Sequence, residues 1–124
     1  MEQIRCIKLN RHFYADDVKN VSPQMVALAT FLMGDFISFG KYFKEWIITD
    51  SLGTGGNISY LDREGDTIVL SFIPAIVESD VIFQTSRDRF LNIMITWEKL
   101  YRAGWNEIII TLDGEEVTME GMMK

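Results

Sequence analysis

Two pairs of β-patterned runs in this chain are joined by loops too short for anything but a reversal of direction. That feature restricts the fold more than any other. In Thr67–Ile73, Ile68, Leu70 and Phe72 alternate with Thr67, Val69 and Ser71, the period of a strand with one buried face. Ile58–Asp62 precedes it, and Arg63-Glu64-Gly65-Asp66 supplies the turn between them. Farther on, Glu107–Leu112 and Glu115–Met119 flank Asp113-Gly114, a strong hairpin signal. Parallel pairing needs a crossover of about a dozen residues or more, so antiparallel pairing is expected to dominate. Gln3–Leu9 and Val81–Gln84 read as further strands. Pro74 should end the strand before it, because proline has no N–H to donate to a ladder.

Two helices are predicted. Ser22-Pro23 is a start signal, with Ser as cap and Pro at the first helical position. Met25, Leu28, Ala29 and Leu32 follow at helical spacing in a nearly all-apolar segment, which indicates a buried helix, and Gly34 reads as its stop. Arg87–Ala103 is the clearer helix. Thr85 or Ser86 caps it, Thr85 with Asp88 matches a capping box, and Phe90, Met94, Trp97 and Tyr101 form one stripe before Gly104. Phe36–Phe39 and Phe43–Thr49 read as β-rich, with Trp46, Ile47, Ile48 and Thr49 suited to a pleated surface and a bend at Gly40-Lys41. Arg11–Val21 and Asp50–Asn57 read as loops, and Gly121–Lys124 as a fraying end. The expectation is an α+β fold: one mainly antiparallel, curved sheet with two helices packed on one face. With 124 residues and no linker or repeat, the chain is expected to be a single domain, 1–124.

Cys6 is the only cysteine, so an intrachain disulfide and a thiolate metal cluster are excluded. A cytoplasmic protein is the natural expectation. Met1–Asn10 lacks the continuous apolar core of a signal peptide, and no segment has the run of about 18 apolar residues that spans a membrane. The net charge of −6 is unevenly spread. Up to Lys44 there are six basic and four acidic residues, and from Glu45 onward six basic and fourteen acidic. Such a surface disfavours nucleic acid, whose binding requires Lys and Arg to neutralise phosphates. It suits a basic protein partner, or simply solubility.

The chemistry-bearing residues are few. His12 has Asp16 and Asp17 four and five residues on, the ingredients of a base with an orienting carboxylate. The plainer account is an exposed loop histidine. One His and one Cys do not make a transition-metal site, and Asp62-Arg63-Glu64-Gly65-Asp66 lacks the length and terminal Glu of a calcium loop. Gly53-Thr54-Gly55-Gly56 is neither a dinucleotide fingerprint nor a P-loop, and a strand rather than a helix follows it. No catalytic centre, metal or cofactor is therefore expected. Two features remain as partner-binding candidates. One is acidic: Asp62, Glu64 and Asp66 at one turn, and Asp113, Glu115 and Glu116 at another, which could steer a basic partner if both turns share an edge. The other is Trp105, directly after a helix stop, where exposure would make it an apolar anchor.

Phe83-Gln84, then Phe90-Leu91 through Trp97-Glu98-Lys99-Leu100, then Glu107-Ile108-Ile109-Ile110-Thr111 form a strand, capped helix with a Trp, and strand. Over Phe83–Leu112 this unit resembles the C-terminal part of small bacterial toxin-immunity proteins of the contact-dependent growth inhibition type. The resemblance implies no catalysis. It implies a tight complex with one cognate toxin, often a nuclease, whose basic active site is occluded. The expected partner is thus a basic protein toxin, with no nucleic acid and no membrane, and the chain itself a monomer or weak dimer. The alternative reading is a small-molecule-binding domain or enzyme with a pocket near the Phe36–Trp46 aromatics. A third is a subunit that dimerises through a strand edge.

Overall fold

A computed structural model of the chain describes residues 1–10, 12–16, 21–49, 54–55, 59–72 and 82–122. Among them the order is β1 (Glu2–Leu9), β2 (His12–Asp16), α1 (Pro23–Met33), α2 (Asp35–Ile48), β3 (Thr54–Gly55), β4 (Ser59–Glu64), β5 (Thr67–Phe72), β6 (Ile82–Ser86), α3 (Arg87–Arg102), β7 (Glu107–Asp113) and β8 (Glu116–Met122). The fold is α+β and every strand pair is antiparallel. The strands do not form the one curved sheet expected. They form two four-stranded sheets, ordered β2-β1-β7-β8 and β3-β4-β5-β6.

Three helices rather than two cover them. α1 starts as its sequence dictates: Ser22 sits in extended backbone and its side chain accepts from the Met25 N–H at 3.3 Å. Its burial follows from its position. It touches β1 and β2 of one sheet and β4, β5 and β6 of the other, so little of it faces water. Met25, Ala27, Leu28, Ala29, Phe31 and Leu32 are all buried. Gly34 does not end the helical run. Its φ is −113°, outside the left-handed region, and the chain turns by 87° there and re-enters a helix.

That helix, α2, replaces the strands expected over Phe36–Phe39 and Phe43–Thr49. The buried residues Phe36, Phe43 and Ile47 recur at seven and four positions, a helical period, and Trp46 lies beside them. Burial at that period outweighs the β preference of the aromatic and branched residues. Phe39 leaves helical geometry (φ −130°, ψ 27°), which kinks α2 just before Gly40. Asp35 ties the start of α2 to β4 by accepting from the Ser59 N–H at 2.8 Å. Trp46 ties its end to the same strand: Arg63 Nη2 donates to the Trp46 carbonyl at 2.6 Å and the guanidinium lies 4.4 Å from the Trp46 ring centroid.

Other boundaries differ modestly. His12–Asp16, expected as loop, pairs with β1, and β8 extends through Gly121 and Met122. Of the two candidate caps for α3, Ser86 holds the position and accepts from the Arg89 N–H at 3.3 Å. Thr85 belongs to β6 and is buried. Gly104, at φ +82°, ends the helix in the left-handed conformation. Pro74 and Asp17 lie outside the described residues.

The buried side chains form one cluster drawn from both sheets and all three helices. Phe31 of α1 is central to it, with its ring centroid 5.1 Å from Phe43, 5.6 Å from Phe90 and 5.9 Å from Phe36. α3 packs against α2 and β8 as well as β5 and β6, so it spans the two sheets along its length.

Candidate functional site

Both acidic turns are two-residue loops with glycine first. Glu64 pairs with Thr67 around Gly65-Asp66, and Asp113 pairs with Glu116 around Gly114-Glu115. Gly65 and Gly114 have φ of +62° and +63°, while the acidic residue after each does not have positive φ. This is the pattern of a II′ turn, which demands glycine at its first position only. The register at the second hairpin is one residue later than Asp113-Gly114 suggests. Asp113 is the last ladder residue and Glu115 stands in the loop.

The two turns come from different sheets, and α3 brings them together. The Arg87 N–H donates to the Asp66 carbonyl at 2.8 Å, so the β4–β5 turn rests on the first residue of α3. Two residues on, Arg89 Nη1 lies 2.9 Å from Glu115 Oε2 of the β7–β8 turn. The first turn of α3 is thereby flanked by both tips. Asp62 and Glu64 are exposed on the outward face of β4, and Asp113 and Glu116 are exposed across the other turn. Asp88, exposed in the first turn of α3, adds a carboxylate beyond its place in the capping pattern. Seven exposed carboxylates thus lie on these two hairpins and the first turn of α3, which also carries the guanidinium groups of Arg87 and Arg89, and Arg89 is paired. Arg63 adds no charge at the tip, because its guanidinium is drawn onto Trp46. A groove of about 250 Å³ runs beside this region between α3 and β8, lined by Asn92, Ile93, Glu116 and Thr118 among others.

Trp105 does not join this surface. It is half-buried against the core rather than exposed, and its ring lies flat on β8 at Gly121. A β-carbon at Gly121 would fall 2.5 Å from three Trp105 ring atoms. Trp105 follows the C-terminal end of α3, whereas the acidic tips sit at the N-terminal end, about 24 Å away for a helix of 16 residues. The exposed apolar residue on the Asp88 side of α3 is Ile95, 46% accessible and seven positions beyond Asp88. Its helical spacing from Asp88 was the signal available in the sequence.

The remaining sequence candidates separate. His12 and Asp16 occupy the two ends of β2 on the same face, about 13 Å apart at strand rise, too far for one to orient the other. Asp16 instead lies 3.8 Å from Arg5, whose guanidinium also bonds Glu107 at 3.0 Å. The Glu107 hydrogen bond, and the Asp16 charge to a lesser degree, raise the Arg5 pKa. Thr54–Gly55 pairs with β4, and Gly53 and Gly56 lie outside the described residues. Cys6 is fully buried, and desolvation pushes its thiol up to about 12. Among the described residues no three His, Cys, Asp or Glu side chains converge as a metal site would require. Among the same residues, no single helix is long and apolar enough to cross a membrane.

A second concavity lies at the other end of α3, where it faces the kinked first half of α2. It is an open cleft of about 410 Å³. Its apolar wall is Phe36, Ile37, Trp97 and Tyr101, and its polar rim is Lys41, Lys44, Glu98 and Arg102. No family model matches the chain, and no curated protein or solved structure matches it.

Proposed function

We propose that this protein is a non-enzymatic binding module for a basic protein, of the kind that neutralises a cognate toxin by covering its positively charged active site. The observation that carries the reading is the meeting of two acidic turns, from two different sheets, on the first turn of α3. Clustered carboxylates raise the encounter rate with a basic surface and suppress acidic competitors. In this reading Asp62, Glu64, Asp66, Asp88, Asp113, Glu115 and Glu116 form the contact, with Ile95 in the apolar role first expected of Trp105. Trp105 serves the fold instead.

The test begins with co-expression of the product of the adjacent upstream gene and isolation of a one-to-one complex. Association is then timed at low and moderate salt for the wild type and for two triple variants, D62N/E64Q/D66N and D113N/E115Q/E116Q. Each should associate roughly tenfold more slowly at low salt and with a shallower salt dependence. Glu120→Gln, exposed on β8 about 13 Å along the strand from Glu116, is the control and should change little. Unchanged rates and salt slopes in both triple variants would remove the acidic surface from the interface.

A further inference from the structure

The cleft between α2 and α3 carries the wrong charge for the protein it belongs to. The chain is −6 overall, yet the cleft rim holds Lys41, Lys44 and Arg102 against the single carboxylate of Glu98. Glu98 is already committed. Lys44 Nζ lies 2.7 Å from both of its oxygens, and Arg102 reaches it only at 3.9 Å. Lys41 has no ion-pair partner among the described residues. The rim therefore has an excess of about two positive charges, on the exposed side chains of Lys41 and Arg102.

The wall below is apolar and aromatic. Phe36 and Trp97 are almost wholly buried, and Tyr101 is half-buried beside them. The Trp97 indole N–H is buried without an acceptor among the described residues. Gly40 packs close against the Phe36 ring of this wall. A β-carbon there would come within 3.3 Å of the Phe36 ring. A volume of about 410 Å³ falls in the range of small-molecule sites.

We propose that this cleft binds a small organic carboxylate with a flat apolar body. The body packs against Ile37 and Tyr101, the half-buried members of the wall, and the carboxylate is held by Lys41 and Arg102. The site lies at the opposite end of α3 from the acidic turns, so it is independent of the partner reading above.

The test is calorimetric titration with 2-naphthoate and indole-3-acetate, each beside its neutral amide. The acids should bind with a Kd at or below about 1 mM, which molecules of about 13 heavy atoms reach at modest efficiency per atom. The amides should bind at least tenfold more weakly. The Trp97 indole N–H resonance should shift on titration with acid. The double variant K41Q/R102Q alters two exposed side chains and should fold normally. It should weaken acid binding at least fivefold while leaving the amides unchanged. Absence of acid binding at 1 mM, equal binding of acid and amide, or wild-type acid affinity in K41Q/R102Q would each overturn the proposal.

Discussion

At the scale of single residues, the N-cap of α1 is part of a longer chain of hydrogen bonds. Ser22 accepts from the Met25 N–H, and its own hydroxyl and N–H both donate to the Glu2 carboxylate at 2.6 Å. The cap was legible because its signal lies within three residues. Glu2 was not, because it is twenty positions away and becomes a neighbour only when β1 and α1 pack. The two Ser22 hydrogen bonds hold the Glu2 pKa below its ordinary value. A carboxylate with a depressed folded pKa contributes stability that is complete above its unfolded pKa and is lost as pH falls through the folded value. Glu2→Ala should cost about 1 kcal/mol at neutral pH, below the roughly 1.5–3 kcal/mol of a buried hydrogen bond to a charged group because Glu2 is partly exposed. Urea unfolding at pH 7 and at an acid pH below the folded Glu2 pKa checks this: the two proteins should differ at the first and converge at the second. A difference that persists in acid would mean that Glu2 acts through packing rather than charge. Cys6 gives a second expectation at this scale. With its thiol buried and its pKa at about 12, it should resist iodoacetamide at pH 8 in the native protein and react at once in urea.

At the scale of elements, what the sequence disclosed was what depends on near neighbours. Both hairpins, the helix of Arg87–Arg102 and the capped start of α1 follow from turn chemistry and period. α2 did not, because its aromatic and β-branched residues favour strand while their spacing favours helix, and only burial against α1 and α3 decides between the two. Trp105 was misjudged for a related reason. A Trp after a helix stop looks exposed until a glycine on a distant strand is known to lie beneath it. That contact is testable. Gly121→Ala would place a methyl group 2.5 Å from the Trp105 ring, so the ring must leave or β8 must shift. The expected cost is about 1–3 kcal/mol, with Trp fluorescence moving to the red as the ring meets water. Gly114→Ala makes a useful contrast. Its β-carbon would meet nothing within 4 Å, so only the positive φ opposes it, and about 1 kcal/mol is expected with no change in the emission spectrum. Equal spectra for the two variants would argue against the Trp105 contact.

At the scale of the whole molecule, the consequential fact is that two sheets share one core. No local signal announces it. The strands of one sheet come from both ends of the chain, while the other sheet lies between them in sequence. The same long-range arrangement places the two acidic turns on one helix start, which is why their shared edge was a condition rather than a conclusion of the sequence. Sharing a core has an energetic consequence. α1 contacts both sheets, and Phe31 within it packs on Phe90 of α3 and on Phe36 and Phe43 of α2. Loosening that residue should weaken both sheets together. Phe31→Ala would leave a cavity worth about 3–5 kcal/mol, a large share of the roughly 5–15 kcal/mol that holds a small domain folded. Phe31→Leu keeps most of the volume and should cost about 1–2 kcal/mol, which leaves a folded protein to measure. Its slowest-exchanging amides in β5 and in β7 should then accelerate by the same factor, about tenfold, because both open only when the shared core does. If β5 accelerated while β7 kept its wild-type protection, the sheets would be separate cooperative units, and α3 would be a strut between them rather than part of one folded body.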